Sequence, residues 1–241
     1  MKQFKDLRCW ITGSSRGIGL AIAKRFINEV GTVILSSKSQ QSLEAVRKEF
    51  ASNRNVLLFP CDVSDARSVA TVTQKIHNII GGIDILINNA GVCKFSSFLN
   101  ATEEEFDWMH NVNTKGVFLC IKSVLPKMLE SKFGIIATIN SVAANTVYND
   151  CSIYSSSKAG ALMLSRTLRQ EVRRSGIKVI DFLLGATNTE IWHPKVREKY
   201  NLKMMKPEDV ADMIFEAISL SLNERLLIEE IILRPTEGDL G

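Results

Sequence analysis

Short apolar runs alternate with longer amphipathic segments along the whole chain, and this alternation limits the possible folds more than any other feature of the sequence. The runs are continuously apolar, which indicates strands buried on both faces of a sheet. Strands that alternate with helices predict a parallel, doubly wound α/β sheet with right-handed crossovers. We predict strands at residues 7–11, 32–36, 56–59, 83–87, 135–139, 177–184 and 226–233.

Length and composition narrow the class of protein. The 241 residues contain no linker, repeat or change of composition, so we expect a single domain spanning residues 1–241. A net charge of +4, without a run of Lys or Arg, argues against nucleic-acid binding. The longest apolar run, at 117–121, is too short for a membrane span, and the N-terminus lacks the apolar core of a signal peptide. Five scattered cysteines and three separated histidines indicate reduced thiols, no metal site and a cytoplasmic protein.

A glycine-rich turn follows the first predicted strand, with Gly13, Gly17 and Gly19 in the spacing Gly-x-x-x-Gly-x-Gly. Gly13 permits a tight turn, Gly17 lets the backbone approach a pyrophosphate, and Gly19 allows close packing of helix on strand. The helix that follows would direct its free N–H groups at the phosphates. This predicts a dinucleotide site, the alternative being a tight strand-to-helix turn without a ligand. The Walker pattern is absent, which disfavours nucleotide hydrolysis.

The end of the second predicted strand bears on the choice of dinucleotide. An NAD site places an acidic residue about twenty positions after the glycines, where it accepts a hydrogen bond from the ribose 2′-hydroxyl. Here the sequence reads Ser36-Ser37-Lys38, and the next acidic residue is Glu44. Lys38 together with Arg16 suits a 2′-phosphate, so we favour NADP(H) over NAD(H). The alternative is that both cations are solvated surface charges.

A tyrosine and a lysine lie four residues apart, at Tyr154 and Lys158. In a helix both side chains would share one face. A phenol with an ordinary pKa of about 10 exchanges protons poorly at neutral pH, and a nearby ammonium group lowers that pKa. The pair therefore predicts an acid/base group for an alcohol or carbonyl substrate, although the spacing alone is common by chance.

Further motifs follow in a fixed order, and together they closely resemble the classical short-chain dehydrogenase/reductase family over nearly the whole chain. They are Thr12-Gly13-x-x-x-Gly17-x-Gly19, Asn88-Asn89-Ala90-Gly91, Asn113, Ser141 and Tyr154-x-x-x-Lys158. The resemblance implies a single Rossmann-like doubly wound sheet of about seven strands with helices on both faces. Its cofactor half would be about 1–140, and its catalytic and substrate half about 141–241. The implied activity is NADP(H)-dependent hydride transfer between nicotinamide and a carbonyl or secondary alcohol.

The resemblance also assigns roles to individual residues. It makes Tyr154 the acid/base, Lys158 the lysine that binds the nicotinamide ribose and lowers the tyrosine pKa, and Ser141 a hydrogen-bond donor to the substrate oxygen. Asn113 would order a water molecule in a proton relay, with Asn111 as the competing candidate. The implied cofactor contacts are Gly13, Ser15, Arg16, Gly17, Ile18, Gly19, Ser37, Lys38, Asp62, Val63, Asn89, Ala90, Gly91, Tyr154, Lys158, Gly185, Thr187 and Thr189.

The substrate end is predicted less directly, from nearness in sequence to the catalytic motifs. We expect an apolar pocket without a carboxylate group, lined by Cys93, Val142, Ala143, Tyr148, Cys151 and Trp192. A lid is expected at residues 190–205, with apolar side chains at Ile191, Trp192, Val196, Tyr200, Met204 and Met205.

Two departures from the family pattern stand out. Leu184-Gly185 replaces the usual Pro-Gly, which leaves the turn less rigid. The C-terminal segment, residues 229–240, replaces the frequent Asp-Gly-Gly ending, which weakens an otherwise obvious reading as a 3-oxoacyl carrier-protein reductase.

Two alternatives concern activity, and one further expectation concerns assembly. A carrier-protein reductase could use Lys132, Arg173 and Arg174 to meet an acidic carrier protein. A protein of another class would be a catalytically silent NADP(H) sensor. We also expect a homo-oligomer, a dimer or more specifically a tetramer, associated through helices at about 102–131 and 153–175, with a small molecule as substrate.

Overall fold

The computed structural model describes residues 3–240, and its seven strands form one parallel sheet in the order β3-β2-β1-β4-β5-β6-β7. This confirms the predicted doubly wound α/β architecture, because the chain moves outward from β1 in one direction and returns to β4 on its other side. The strands are β1 (Arg8–Thr12), β2 (Thr32–Ser37), β3 (Val56–Pro60), β4 (Ile85–Asn88), β5 (Gly134–Ser141), β6 (Ile177–Leu184) and β7 (Glu230–Leu233).

Helices connect the strands. Several begin where the sequence supplies a capping group: Asp65 accepts from the backbone N–H of Arg67, and Thr102 and Glu105 form a reciprocal capping box. The α-helices are α1 (Gly17–Phe26), α2 (Gln40–Glu49), α3 (Ala66–Ile80), α4 (Glu103–His110), α5 (Gly116–Ser131), α6 (Ser152–Val172), α7 (Pro194–Tyr200) and α8 (Pro207–Leu220). A π-helical turn at Asn111–Lys115 joins α4 to α5, and short 3₁₀ turns lie at Phe4–Asp6 and Val142–Ala144.

The last strand is shorter than predicted, because it begins at Glu230 instead of residue 226. Backbone carbonyl groups of the segment before β7 bind a side chain instead of a neighbouring strand. The ammonium group of Lys178 donates to the carbonyl oxygens of Ser221 and Leu226, each at 2.7 Å, and also to that of Asn223. These carbonyl groups turn toward one lysine, so this stretch does not pair with β6.

The sheet is buried on both faces, as the continuously apolar strands predicted. In β1, Cys9 and Ile11 belong to one core cluster and Trp10 to the other. Helices α1, α2 and α8 supply the first cluster, whereas α3, α5 and α6 supply the second. Each large aliphatic side chain buried in this way contributes roughly 1.5–3 kcal/mol to folding.

Because all strands are parallel, their carboxyl ends meet along one edge of the sheet. In an open α/β sheet, ligands bind in the crevice at this edge where the strand order reverses, which here lies between β1 and β4. The glycine turn follows β1, and the segment beginning with Asn89 follows β4. The fold therefore brings two of the predicted motifs side by side.

Residues 3–240 contain neither a helix suited to a bilayer nor a cluster suited to a metal ion. No helix in this range is long and apolar enough to cross a bilayer. No group of three or more His, Cys, Asp or Glu side chains in the same range is arranged to hold a metal ion.

Candidate active site

A cleft of about 1540 Å³ runs along the carboxyl edge of the sheet. Its walls come from the glycine turn, the ends of β2, β3 and β5, the segments after β4 and β6, and the start of α6. The eighteen positions that the family resemblance implied as cofactor contacts all lie along this cleft, as do the six substrate positions. Of the four predicted catalytic residues, Ser141, Tyr154 and Lys158 line it, and Asn113 lies behind the wall.

The glycine turn is held in shape by the segment after β4. Gly13 and Gly17 have positive φ angles of 63° and 55°, in the left-handed region that favours glycine. The side-chain amide of Asn89 donates to the carbonyl oxygens of Thr12 and Gly13, both at 2.9 Å. A Cβ atom on Gly19 would lie 2.3 Å from this amide nitrogen. The side chain of Asn89 thus supports the turn, which leaves its backbone and its neighbours to face a ligand.

One end of the cleft carries positive charge. Arg16 is exposed at the start of α1, and the ammonium group of Lys38 lies 2.8 Å from the carboxylate of Asp62. Asp62 also accepts from the backbone N–H and the hydroxyl group of Ser64, at 3.0 and 2.6 Å. Burial raises the pKa of Asp62, but the hydrogen bonds from Lys38 and Ser64 outweigh it and leave the pKa below its usual value. Lys38 is therefore shared between this carboxylate and the cleft.

The predicted tyrosine and lysine share one face of α6. The ammonium nitrogen of Lys158 lies 6.0 Å from the centre of the Tyr154 ring and donates to the carbonyl oxygen of Ile139 at 2.9 Å. Lys158 is 7% exposed, so its charge is almost fully removed from water. Helix α6 and the end of β5 together hold this pair at the cleft.

Burial controls the protonation of both groups. Burial raises the pKa of Tyr154 well above its ordinary value, and Cys93 raises it further, whereas hydrogen bonding to Ser141 lowers it. Burial lowers the pKa of Lys158 to about 8, against the raising effects of Cys93 and Asp181. The pKa of Tyr154 lies above its ordinary value because removal from water dominates, and the lowering of that pKa by Lys158 stays a prediction. At neutral pH Tyr154 is a neutral phenol, which is the form that donates a proton.

Ser141 is the last residue of β5, and its hydroxyl group hydrogen-bonds two neighbouring groups. Its hydroxyl oxygen accepts from the backbone N–H of Ala143 at 3.1 Å, which caps the short turn Val142–Ala144. The same hydroxyl group hydrogen-bonds the phenol of Tyr154 and lowers its pKa. Ser141 therefore both caps the short turn and hydrogen-bonds the phenol of Tyr154.

Asn113 lies in the π-helical turn and is fully buried. Its side chain accepts from the backbone N–H of Val92 and donates to the carbonyl oxygen of Val92, both at 2.8 Å, and it donates to the hydroxyl group of Ser157 at 2.9 Å. A Cβ atom on Gly91 would lie 3.5 Å from both Asn113 Oδ1 and Lys158 Nζ. Asn113 and Lys158 therefore approach the same point beside Gly91, and π-helical turns occur often at functional sites.

The prediction that the substrate end of the cleft contains no carboxylate group is wrong. Asp239 lines the cleft and accepts a 2.6 Å hydrogen bond from the hydroxyl group of Tyr148. Arg234 joins the same cluster: it contacts Asp239, donates to the Tyr148 hydroxyl at 3.1 Å and donates to Thr146 at 3.0 Å. The sequence could not show this cluster, because the C-terminal segment folds back over a loop about ninety residues earlier in the chain.

Phe95 is a cleft residue that the sequence analysis did not single out. Its ring stacks on Trp192, with centroids 5.3 Å apart and planes 20° apart, and meets the Tyr154 ring edge-on at 6.3 Å. The signal available was its position, two residues after Cys93 in the segment that follows β4. Phe95 and Trp192 form an aromatic wall next to the phenol.

Only part of the segment expected to form a lid lines the cleft. Ile191, Trp192, Val196 and Tyr200 line the cleft, on and just before α7. Met204 and Met205 do not. Met204 is buried, and the backbone N–H of Met205 donates to the carbonyl oxygen of Ala186 at 3.0 Å. These two residues fasten the segment after α7 to the turn that follows β6, because a backbone bridge there pairs Met205 with Thr187.

The fold and the cleft define a dinucleotide-binding α/β protein with a tyrosine–lysine–serine site, and sequence comparison gives the family. A sequence profile described as short chain dehydrogenase matches residues 8–200. The protein therefore belongs to the short-chain dehydrogenase family and is an oxidoreductase of that family.

Particular relatives cover almost the whole chain. Sepiapterin reductase from Chlorobaculum tepidum is 36% identical over 238 residues, which cover 95% of this chain and 96% of the relative. An uncharacterised oxidoreductase of Staphylococcus haemolyticus is 30% identical over 226 residues, 93% of this chain and 95% of that protein.

Solved structures are similar over the same length. The closed form of serine dehydrogenase complexed with NADP⁺ has a TM-score of 0.90 and 25% identity, and the match covers 98% of this chain and 97% of that one. An alcohol dehydrogenase from the archaeon Thermococcus sibiricus, complexed with 5-hydroxy-NADP, has a TM-score of 0.86 and 27% identity, with 98% and 99% covered.

Proposed function

We propose that this protein is an NADP(H)-dependent oxidoreductase that transfers hydride between nicotinamide and a carbonyl or secondary alcohol substrate, with Tyr154 as acid/base. The observation that carries the proposal is a half-buried, neutral phenol beside the Ser141 hydroxyl, on the wall of a cleft that begins at the glycine turn. A neutral phenol can give its proton to a carbonyl oxygen as that oxygen gains negative charge.

The residues of the cleft fit a phosphorylated dinucleotide. Gly13 and Gly17 adopt the positive φ angles that let backbone N–H groups face a pyrophosphate at the start of α1. Arg16, Ser37 and Lys38 line the same end, where they suit a 2′-phosphate, and no acidic residue occupies positions 32–43 of β2 and the segment after it. Two similar solved structures carry NADP⁺ or an NADP analogue in their descriptions, which supports the choice of NADP(H) over NAD(H).

When bound, the nicotinamide supplies or accepts the hydride, and the residues of this chain handle the oxygen and the proton. The hydroxyl groups of Ser141 and Tyr154 are placed to donate hydrogen bonds to the substrate oxygen, and Tyr154 delivers the proton. Asn113 Oδ1 and Lys158 Nζ would both lie 3.5 Å from a Cβ atom on Gly91, so the two groups are near enough for a water-bridged route of reprotonation. General acid catalysis of this kind contributes roughly 10²–10⁴-fold to the rate.

The substrate class is proposed from the wall of the cleft. Phe95, Trp192 and Tyr154 present aromatic surface next to the reacting position, which favours a flat, conjugated carbonyl compound over a long flexible one. The similarity to a sepiapterin reductase supports the same choice. Bicyclic carbonyl compounds such as sepiapterin therefore stand first in the test panel.

The carrier-protein alternative has less support. The guanidinium group of Arg173, one of the three cations considered for docking an acidic carrier protein, lies 2.6 Å from the carboxylate of Glu229. This pairing leaves less free positive charge on that surface than the sequence suggested. Comparison of acetoacetyl thioesters with simple ketones separates the two activities.

We also propose a homo-oligomer, a dimer or tetramer. Helices α4, α5 and α6 expose large apolar side chains, including Phe106, Phe118 and Met163, which are 46%, 44% and 58% accessible. Apolar exposure of this extent is typical of surfaces that associate. Light scattering after size-exclusion chromatography tests the proposal, and a monomer at micromolar concentration would contradict it.

A carbonyl and alcohol panel, followed by NADPH absorbance with NADH as control, tests the proposed function. We expect turnover with at least one conjugated carbonyl compound and a strong preference for NADPH. Tight NADPH binding without turnover across the panel would instead favour a catalytically silent sensor.

A further inference from the structure

A buried ion pair lies beneath the catalytic helix, and the proposed chemistry does not use it. Asp181 sits within β6 with a fully buried side chain, and its carboxylate lies 2.8 Å from the guanidinium group of Arg169 on α6, whose side chain is 5% exposed. Charges buried in this way are costly and persist only when paired. Because a buried ion pair is costly, we expect this pair to have a function other than packing in the core.

Asn140 connects Asp181 to two catalytic residues. The side-chain amide of Asn140 donates to the backbone carbonyl oxygen of Lys158 at 3.3 Å and accepts from the backbone N–H of Ser141 at 2.9 Å. The same amide group and the hydroxyl group of Ser165 lie near enough to the carboxyl group of Asp181 to lower its pKa, although Asp181 Oδ1 accepts no hydrogen bond of normal geometry from residues 3–240. One buried amide thus contacts the backbone of Ser141 and Lys158 and the acidic group behind them.

The charged groups around Asp181 come from two elements. Helix α6 supplies Arg169, Arg166 and Lys158, and β7 supplies Glu230, which lies 3.6 Å from Arg169 and is bound by Arg166 at 2.7 and 2.9 Å. Burial raises the pKa of Asp181 to about 7, Arg169 lowers it, and Glu230 raises it. Cys93 and then Asp181 raise the pKa of Lys158 and so oppose the effect of burial on the lysine.

We propose that Asp181 is a positioning residue of the active site, which favours the ammonium form of Lys158 through its charge and orients Lys158 and Ser141 through Asn140. Arg169 holds Asp181 in the sheet for this purpose. The inference rests on the proposed function, because it concerns the groups assigned to proton transfer there. A purely structural pair would instead only fasten α6 to β6.

Two substitutions remove the charge in different ways. Asp181→Asn keeps the shape of the side chain but deprives the buried Arg169 of its nearest carboxylate, so it also carries a risk to folding. The double variant Arg169→Met/Asp181→Leu replaces the whole pair by apolar side chains, a change that buried ion pairs often tolerate without loss of stability. Glu230→Gln is the matched control, since it neutralises a carboxylate of the same network but leaves Asp181 in place.

Two pH profiles between about pH 6 and 10 provide the readout: NADPH affinity by fluorescence titration, and kcat/KM for carbonyl reduction. We expect the alkaline limb of both profiles to move to lower pH by about one unit in the two charge-removing variants, the usual effect of losing one nearby opposite charge. In Glu230→Gln the limb should stay or move slightly upward, because a like charge next to Asp181 is lost.

The two possible failures are distinguishable. An alkaline limb at the wild-type pH in the folded double variant, whatever its melting temperature, overturns the inference and leaves a structural pair. Wild-type protein that binds NADPH but reduces no carbonyl compound contradicts the proposed function, while its NADPH-affinity profile still tests the role of Asp181.

Discussion

The ammonium group of Lys158 donates a 2.9 Å hydrogen bond to the backbone carbonyl oxygen of Ile139. This bond ties helix α6 to the end of β5, two residues before Ser141. The serine and the tyrosine–lysine pair, which lie on different elements, are therefore fixed relative to one another before any substrate arrives. Such preorganisation is where much of the rate of an enzyme originates.

Tyr154→Phe removes the proposed proton donor and keeps the ring. We expect kcat for carbonyl reduction to fall by roughly 10²–10⁴-fold, the contribution of a general acid, with NADPH affinity within about twofold of the wild type. Steady-state kinetics and fluorescence titration measure the two quantities. Tyr148→Phe is the matched control, because it deletes another cleft hydroxyl and should retain most of kcat. Wild-type turnover in Tyr154→Phe would remove this residue from the mechanism.

The pH dependence of reduction should report on Lys158. Its pKa, lowered by burial to about 8, means that the ammonium form prevails below that pH and is lost above it. Since the ammonium group assists proton delivery, kcat/KM for reduction should be level near neutral pH and fall as the pH rises through about 8. Rates in overlapping buffers at constant ionic strength measure the limb. A rate that stays level to about pH 10, the ordinary lysine range, contradicts the assignment.

The same pKa has a consequence for stability. An unfolded lysine titrates near 10.4, whereas folded Lys158 titrates near 8, so between these values the unfolded chain binds more protons. The contribution of Lys158 to the free energy of unfolding should therefore rise with pH across this window. Urea unfolding of wild type and Lys158→Met at about pH 8 and about pH 10 isolates it, because the difference between the two proteins must change in that direction. A difference that is the same at both pH values contradicts a lowered lysine pKa.

Lys38 and Arg16 should set the preference for the phosphorylated dinucleotide. We expect Lys38→Ala and Arg16→Ala each to weaken NADPH binding by roughly five- to thirtyfold, the loss of one partly exposed charge-assisted hydrogen bond, and to change NADH binding little. Lys24→Ala is the control, since Lys24 lies toward the other end of α1 and pairs with Glu49. If both nucleotides lose affinity equally, the two cations act on the common phosphates instead.

Phe95 should matter for substrate binding. Phe95→Ala removes the ring that stacks on Trp192 and touches Tyr154, so KM for conjugated carbonyl compounds should rise by roughly tenfold while KM for a small aliphatic ketone changes less. Phe98→Ala is a suitable control, because Phe98 belongs to the same loop but is 85% exposed and is not part of the cleft wall. An equal rise for both substrate types would show a general loss of cleft shape rather than aromatic recognition.

Much of the fold was predictable because its signals are local. The apolar runs, the capping residues at Asp65 and Thr102 and the glycine turn each depend on residues close together in sequence. The start of β7 was not predictable, because the ammonium group of Lys178 binds carbonyl groups of the preceding stretch, and that contact spans more than forty residues.

The sequence by itself determined the alternation of strands and helices, the glycine turn at the end of β1, and the spacing that puts Tyr154 and Lys158 on one helical face. Only the tertiary structure decided that Asp239 reaches Tyr148, that Phe95 stacks on Trp192, and that Asp181 lies behind Asn140. It also decided the protonation of the site, because removal from water raises the pKa of the Tyr154 phenol. The reason is physical: periodicity is written into neighbouring residues, whereas burial and charge contacts arise only when distant segments pack and exclude water.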